Sequence, residues 1–149
     1  MPDRMPDDTM PDERETPDPV ELVRRSFEPI NGRDVEATMS FYAPDSVWDM
    51  SLVGLGTYEG LAEIRAFFED WVAAYDDFEI EPEEILGFGS GIVLAVIRQT
   101  ARPVGSSADV ELRYASLSTW EDGVNVRTTN YADLGEAHAA AKRLARERG

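Results

Sequence analysis

The sequence predicts an α+β fold in which helices pack on one face of a curved sheet. The first half of this 149-residue chain carries helix signals, namely capping residues and apolar side chains that recur every three or four positions. After roughly the midpoint, runs of β-branched and aromatic residues alternate with turn residues, which is typical of consecutive antiparallel strands. Helices followed by a run of strands favour α+β over alternating α/β.

Three helices are predicted before the strand-rich half. The first begins at Asp18-Pro19, because a capping acid precedes a proline at the first helical position. Asp34 caps a short second helix that is expected to extend to Tyr42. The third is the clearest, since its apolar residues recur at spacings of three and four. These residues are Leu61, Ile64, Phe68, Trp71 and Tyr75.

The predicted strands come both before and after the third helix in the sequence. A short one carries Trp48 and Asp49 before a glycine-rich turn. The others occupy residues 78–81, 85–88, 92–101, 110–120 and 124–131. Pro82 is expected to separate the strands at 78–81 and 85–88. Asp122-Gly123 predicts a hairpin between the last two strands. Asp133 begins a short final helix that is rich in alanine.

Composition predicts an acidic tail followed by one domain. Residues 1–17 contain Met-Pro-Asp three times and little that joins a core, so we expect disorder there and a single domain at 18–149. The net charge of −16 opposes binding to nucleic acid or anionic membranes, because phosphate partners need a field of Lys and Arg. No apolar run reaches the length of a membrane span. The absence of cysteine suits a reducing compartment, and the cytoplasm is the expected location.

Seven short motifs occur in a recognisable order. They are Asn31-Gly32-Arg33-Asp34, Phe41-Tyr42-Ala43-Pro44-Asp45-Ser46-Val47-Trp48, Tyr58-Glu59-Gly60, Arg98-Gln99-Thr100-Ala101-Arg102, Ser106-Ser107, Glu111-Leu112-Arg113-Tyr114 and Trp120-Glu121-Asp122-Gly123. In this order they resemble the nuclear transport factor 2-like superfamily and, within it, the SnoaL-like small proteins. The resemblance covers about residues 19 to 137. It implies a cone-shaped curved sheet, antiparallel or mixed, wrapped around three helices in a cystatin-like α+β barrel.

The resemblance also implies a mostly apolar pocket at the open end of the cone. Members of the superfamily include ketosteroid isomerase, scytalone dehydratase, limonene epoxide hydrolase, polyketide cyclases and non-enzymatic transport factors. One fold that serves so many activities does not define the reaction. The expected partners are a small apolar ligand and a second copy of the chain, bound through the outer face of the sheet. No cofactor is expected.

Asp49 is the predicted proton-transfer group. A carboxylate placed among Trp48, Met50 and helix aromatics would lose hydration, which raises its pKa and lets it exchange a proton near neutral pH. Arg113 or Tyr114 would stabilise the oxyanion that forms, but a regular strand does not point both inward. The simpler interpretation is that Trp48 packs in the core while Asp49 faces water.

Aromatic residues are the candidate ligand-binding set. Trp48, Tyr58, Trp71 and Tyr114 are expected to line the pocket, with Asn130 on the last strand as a polar anchor. The strand arginines are also expected to pair with Glu83 or Glu111 across the sheet. No metal site is predicted, because the acids of residues 76–84 form a row along a strand rather than a convergent loop.

Two hypotheses of function follow. The first is a cofactor-independent acid–base enzyme, of the isomerase, cyclase, dehydratase or hydrolase type, that acts on an apolar or polyketide-like compound. The second is a non-catalytic ligand-binding or protein-interaction module of the same fold. The two hypotheses differ in whether Asp49 is buried and faces a cavity of at least ~300 Å³.

Overall fold

Residues 18–148 are described by a computed structural model and form four α-helices, one 3₁₀ turn and six strands. The helices are α1 (Pro19–Asn31), α2 (Val35–Met39), α3 (Leu61–Ala73) and α4 (Leu134–Arg148). The strands are β1 (Tyr42–Asp49), β2 (Thr57–Glu59), β3 (Tyr75–Gly89), β4 (Ile92–Pro103), β5 (Val110–Glu121) and β6 (Val124–Tyr131). The predicted α+β class is confirmed. The predicted acidic tail, residues 1–17, lies outside the described residues.

The six strands form one mixed sheet in the order β2-β1-β6-β5-β4-β3. Strand β1 runs parallel to β6, with Trp48 opposite Thr128, and every other neighbouring pair is antiparallel. Because β1 is the first strand of the chain and β6 is the last, their pairing places the predicted Trp48–Asp49 segment beside the second strand of the β5–β6 hairpin. Sheet position therefore brings together residues that are about 80 positions apart in sequence.

Helices α1, α2 and α3 pack against one face of this sheet. Helix α1 begins where predicted, because the Asp18 carboxylate accepts a hydrogen bond from the Val20 backbone N–H at 3.0 Å. Its buried residues join a cluster with Phe78, Ile80 and the inward residues of β4. Ile64 and Phe68 of α3 are almost completely buried in a second cluster, which also contains Trp48 and Met50.

Helix α4 lies on the opposite face of the sheet. Its buried residues Ala137, Ala140 and Ala141 pack against the outward residues of β4 and β5, which are Ile92, Leu94, Ala115 and Leu117. Both faces of β4 are thus covered at residues 92–97, which explains the continuous apolar run there. The helix was predicted to be short, yet it spans 15 residues. It covers part of the outer face through which the predicted homodimer would form, and that dimer remains a prediction.

Several local predictions were wrong. Tyr42 begins β1 instead of extending α2, which ends at Met39. Tyr75 begins β3 instead of ending the stripe of the third helix, because α3 ends at Ala73. Pro82 does not divide β3, because this strand lies at the edge of the sheet and a register irregularity between Pro82 and Glu84 accommodates the missing N–H. The three-residue strand β2 was not predicted, since Thr57–Glu59 is too short to show alternation. No helix within residues 18–148 is long and apolar enough to cross a membrane.

Replacement of Gly91 by alanine should strongly destabilise the fold. Gly91 has φ +79°, and an added Cβ would lie 2.2 Å from the Trp120 carbonyl oxygen, at the point where the Trp120 N–H donates to the Gly91 carbonyl at 2.8 Å. Gly89 is the matched control, since its φ is +81° but no atom lies within 4 Å of an added Cβ. We expect Gly91→Ala to lower the free energy of unfolding by about 1–3 kcal/mol more than Gly89→Ala. Urea denaturation measures both, and equal losses would contradict the predicted clash.

Candidate functional site

A cavity of about 690 Å³ lies between the inward face of the sheet and helices α1 and α3. Its walls are mostly apolar and aromatic, and all three tryptophans of the chain, Trp48, Trp71 and Trp120, line it. Small side chains on the sheet, namely Ala95, Ser116 and Ser118, face these large rings. The cavity is within the ordinary size range of a small-molecule site.

Strand alternation decides which side chains reach this cavity. On β5, Tyr114, Ser116 and Ser118 line it, whereas Ala115 and Leu117 pack under α4 on the other face. On β6, Asn125, Thr128 and Asn130 line the cavity. The spacing of three between Asn125 and Thr128 accompanies a register irregularity in the β5–β6 pair.

Two tyrosine hydroxyls and a glutamine provide part of the polar lining. The Tyr114 hydroxyl donates to the Gln99 side-chain oxygen at 3.0 Å. Burial raises the pKa of Tyr114 and that of Tyr42 well above the ordinary value for tyrosine. Both phenols are therefore neutral at physiological pH and act as hydrogen-bonding groups.

Two asparagines of β6 provide further polar groups. The Asn130 amide nitrogen lies 3.0 Å from the Met50 sulfur, and the Asn125 amide nitrogen donates to the Thr128 hydroxyl at 2.8 Å. The side-chain oxygens of both asparagines are buried and have no hydrogen-bond partner within residues 18–148. Asn125 is 3% exposed. These oxygens are unpaired acceptors of two residues in the cavity wall, and neighbouring atoms cover both.

Charged side chains are confined to the mouth of the cavity. Asp70 and Arg113 contribute to the lining, yet both residues are exposed. The Arg113 guanidinium binds the Glu83 carboxylate at 2.6 Å, and Arg98 pairs with Glu81 and Glu111 on the outer face. The structure thus contains the predicted ion pairs across the sheet. A charged group that entered the cavity would lose water without gaining an opposite charge.

Asp49 lies outside this cavity, on the face of β1 opposite to Trp48. It lines an outer groove of about 510 Å³ between β6, β1 and α4, together with Arg127 and Arg143. Adjacent strand residues point to opposite faces, so the burial of Trp48 in the cavity wall directs Asp49 outward. The expectation that Asp49 faces the cavity was wrong, and the simpler interpretation of this pair describes the structure.

Four hydrogen-bond donors surround the Asp49 carboxylate. One oxygen accepts from the Ser51 hydroxyl at 2.6 Å, the Ser51 backbone N–H at 3.0 Å and the Thr57 hydroxyl at 3.3 Å, while the other accepts from Arg127 at 3.1 Å. The hydrogen bonds from Ser51 are the main reason that the pKa of Asp49 lies below its ordinary value. A raised pKa was predicted for Asp49, and this prediction was wrong. Because its pKa is lowered, the carboxylate stays ionised and is not suited to proton exchange near neutral pH.

The Asp49 carboxylate instead closes the loop of residues 50–56. Its donors Ser51 and Thr57 lie at the two ends of this loop, whose turn requires positive φ at Gly54 and Gly56. Val53 and Leu55 of the loop line the cavity. Asp49 therefore positions one wall of the cavity from outside. The Asp-x-Ser sequence is a common local hydrogen-bonding pattern and was the available signal for this role.

The other predicted site residues divide between the cavity and its surroundings. Trp48, Trp71, Tyr114 and Asn130 line the cavity, and Arg113 lies at its mouth. Tyr58 is not in the lining: its ring packs on Phe67 at 4.5 Å and its hydroxyl donates to the Leu55 carbonyl. The roles of these residues in ligand binding stay predictions.

Sequence reasoning did not identify several polar residues of the lining. Among them are Gln99, Asn125 and Thr128. The available signal was the presence of amide side chains in otherwise apolar strands. It identifies lining residues only once the inward face of each strand is known. The described residues hold no group of three His, Cys, Asp or Glu side chains placed to bind a metal ion.

Comparison with known proteins agrees with this architecture. A profile of the SnoaL-like domain family matches residues 23–128. The structure of TerC co-crystallised with polyporic acid is 22% identical, with 84% of this chain and 99% of that chain covered and a TM-score of 0.68. A protein with a ketosteroid isomerase-like fold from Catenulispora acidiphila DSM 44928, in complex with trimethylamine, is 17% identical over 85% of this chain and 93% of that chain, with a TM-score of 0.69.

A third similar structure is SalBIII, an epoxide hydrolase/cyclase-like enzyme in pyran ring formation in the polyether salinomycin. It is 21% identical, with 85% of this chain and 96% of that chain covered and a TM-score of 0.68. No curated protein matches the sequence. At these identities the similar structures establish a shared fold.

Replacement of Asp49 by alanine should destabilise the protein by about 1–2 kcal/mol at pH 7, because hydrogen bonds to an ionised group are lost. The folded-state pKa is lowered, so this contribution is complete above the unfolded value and is lost as the pH falls through the lower folded value. The gap in unfolding free energy between parent and variant should therefore narrow below about pH 4. Urea denaturation across pH 2–7 measures it.

Asp45→Ala is the control for this substitution. Asp45 is an exposed acid on the same strand and has no side-chain hydrogen bond within residues 18–148. A loss of stability as large as that of Asp49→Ala, or a gap that does not depend on pH, would contradict the proposed clamp.

Proposed function

The chain belongs to the SnoaL-like domain family, and we propose that it binds a small, neutral and largely apolar molecule in the cavity. The observation that carries this proposal is the lining, in which all three tryptophans and further aromatic rings surround a volume of about 690 Å³. Burial of apolar ligand surface stabilises a complex by roughly 25 cal/mol per Å² before the costs of association. A cavity of this composition favours an apolar ligand body.

The electrostatics of the lining support a neutral ligand. Apart from Asp70 and Arg113, the ionisable groups of the lining are the tyrosines Tyr42, Tyr75 and Tyr114, and burial raises the pKa of Tyr42 and Tyr114 further above the ordinary value. Asp70 and Arg113 lie at the mouth, where water screens them. An ionised ligand would thus be placed in a region of low polarity without a counter-charge, which is unfavourable.

Binding without acid–base turnover is the function that this arrangement supports best. Proton transfer needs a side chain that titrates near neutral pH within hydrogen-bond reach of the ligand. Asp49, the predicted base, lies outside the cavity with a lowered pKa, and Arg113 is paired with Glu83. The isomerase-like or cyclase-like hypothesis, with Asp49 as the base, has no support from these positions.

Two expectations about the protein in its cell remain predictions. The expectation of a cytoplasmic location rests on the lack of cysteine, which suits a reducing compartment. A homodimer through the outer sheet face would have to use the area that α4 leaves uncovered, where Arg98 and Arg113 already pair with acids of their own chain. Light scattering after size-exclusion chromatography measures the mass directly.

Biphenyl is a suitable probe for the proposed function, since it is neutral, apolar and aromatic. Because every tryptophan lines the cavity, intrinsic fluorescence should change in a saturable way as biphenyl binds. Ser116→Phe should weaken binding at least about tenfold, because the added ring occupies the space that the ligand needs.

Thr129→Phe is the matched control. It adds a ring at a neighbouring β6 position whose side chain lines the outer groove rather than the cavity. This variant should bind biphenyl as the parent does. An absence of saturable binding to the parent, or equal weakening by both variants, would contradict a ligand site in the cavity.

A further inference from the structure

Two buried acceptors of the cavity-wall residues lack a hydrogen-bond partner within residues 18–148. They are the side-chain oxygens of Asn125 and Asn130. The indole nitrogen of Trp48 is also buried, but the Tyr42 hydroxyl is within its reach. Buried polar groups in folded proteins are nearly always paired, so such a set needs an explanation. Two other unpaired atoms, the hydroxyls of Thr38 and Ser46, belong to residues outside the lining.

Both oxygens belong to one region of the wall. Asn125 and Asn130 flank Thr128 along β6, and Thr128 lies directly opposite Trp48 of β1. The strand thus places two unused acceptors near each other. Both amide groups are held by their nitrogens, Asn125 by Thr128 and Asn130 by Met50.

The contact with Met50 fixes the orientation of the Asn130 amide. A thioether sulfur accepts hydrogen bonds but has no hydrogen to donate, so the amide nitrogen must be the atom that faces it. The Asn130 oxygen is then directed away from the sulfur and remains an unused acceptor. Exchange of the two amide atoms would not satisfy this group.

We propose that the ligand carries at least one uncharged hydroxyl group, and that the Asn130 oxygen, which neighbouring atoms cover in this structure, turns toward the cavity to accept a hydrogen bond from it. The inference rests on the proposed function. A hydroxyl group can donate a hydrogen bond, so it also suits the Asn125 oxygen. A carboxylate would face two carbonyl-type oxygens, and an ammonium group would be buried without an acidic partner. The ligand class is therefore a neutral apolar molecule with one or more hydroxyl groups.

The test compares biphenyl with 4-hydroxybiphenyl and 4,4′-dihydroxybiphenyl by isothermal titration calorimetry. In the parent protein at least one hydroxylated probe should bind about tenfold more tightly than biphenyl, which is the size of effect expected when a buried acceptor gains its partner. Asn130→Leu should reduce this preference to less than about twofold while biphenyl still binds. Thr129→Val is the control, since it removes a hydroxyl from the outer groove and should leave the preference unchanged.

Thermal unfolding separates this role from a structural one. The Asn130 oxygen holds nothing within the described residues, and the amide nitrogen contacts the Met50 sulfur, which is a weak acceptor. Asn130→Leu should therefore keep or raise the melting temperature of the ligand-free protein. A melting temperature lower by about 4 °C or more would show that the amide supports the fold and would overturn the assignment. Such a shift is expected when the equilibrium constant of folding falls roughly tenfold.

The ligand comparison in the parent protein needs no variant to fold. Equal affinity for biphenyl and both hydroxylated probes overturns the inference and leaves the proposed function intact. Retention of the full preference in Asn130→Leu also overturns it. If none of the three probes binds, both the inference and the proposed function fail.

Discussion

The alternation of side chains across the curved sheet is the constraint on which the rest of this molecule depends. Each strand residue lies either toward the helices α1–α3 or toward α4 and solvent, and neighbouring residues take opposite sides. On β1 this sends Trp48 into the cavity and Asp49 outward. On β5 it sends Tyr114 inward, while Arg113 pairs with Glu83. These orientations determine which side chains line the cavity, and therefore its chemical character.

A hollow remains because large and small side chains face each other across it. The helices cover one part of the sheet closely, and Phe68 and Ile64 of α3 are almost completely buried there. Elsewhere the sheet presents Ala95, Ser116 and Ser118, which are too small to fill the space in front of the aromatic rings. A packed interior would have larger residues at these positions. The unpaired amide oxygens in the same wall break a further rule of buried structure, and such breaks are expected at functional sites.

Asp49 shows how one residue supports a site without belonging to it. Its carboxylate joins the two ends of the 50–56 loop and binds Arg127, and these contacts keep the acid ionised. The loop in turn carries Val53 and Leu55 into the cavity wall. The conspicuous acid beside a tryptophan is thus explained by loop geometry. A carboxylate at the next position, where Met50 lines the cavity, would have faced inward.

Local signals in the sequence were sufficient for most of the secondary structure. The Asp18-Pro19 cap, the stripe from Leu61 to Trp71 and the hairpin at Asp122-Gly123 each act over a few residues, and each appears where it was predicted. The order of these elements, with the family resemblance, was also sufficient for the α+β class. The predictions for Pro82 and for the length of α4 were wrong. Whether a strand lies at the edge of the sheet, and whether a helix covers a face of the sheet, depends on residues far away in the sequence.

The site was only partly predictable for the same reason. Aromatic and amide residue types pointed to Trp48, Trp71, Tyr114 and Asn130, all of which line the cavity. Composition could not show that Tyr58 lies outside it, or that Gln99 and Asn125 lie within it. The sequence by itself determined the elements, their order and the supply of aromatic side chains, because these depend on short-range preferences. Only the tertiary structure decided the inward face of each strand, since a shift of one residue in register or one bulge reverses that face.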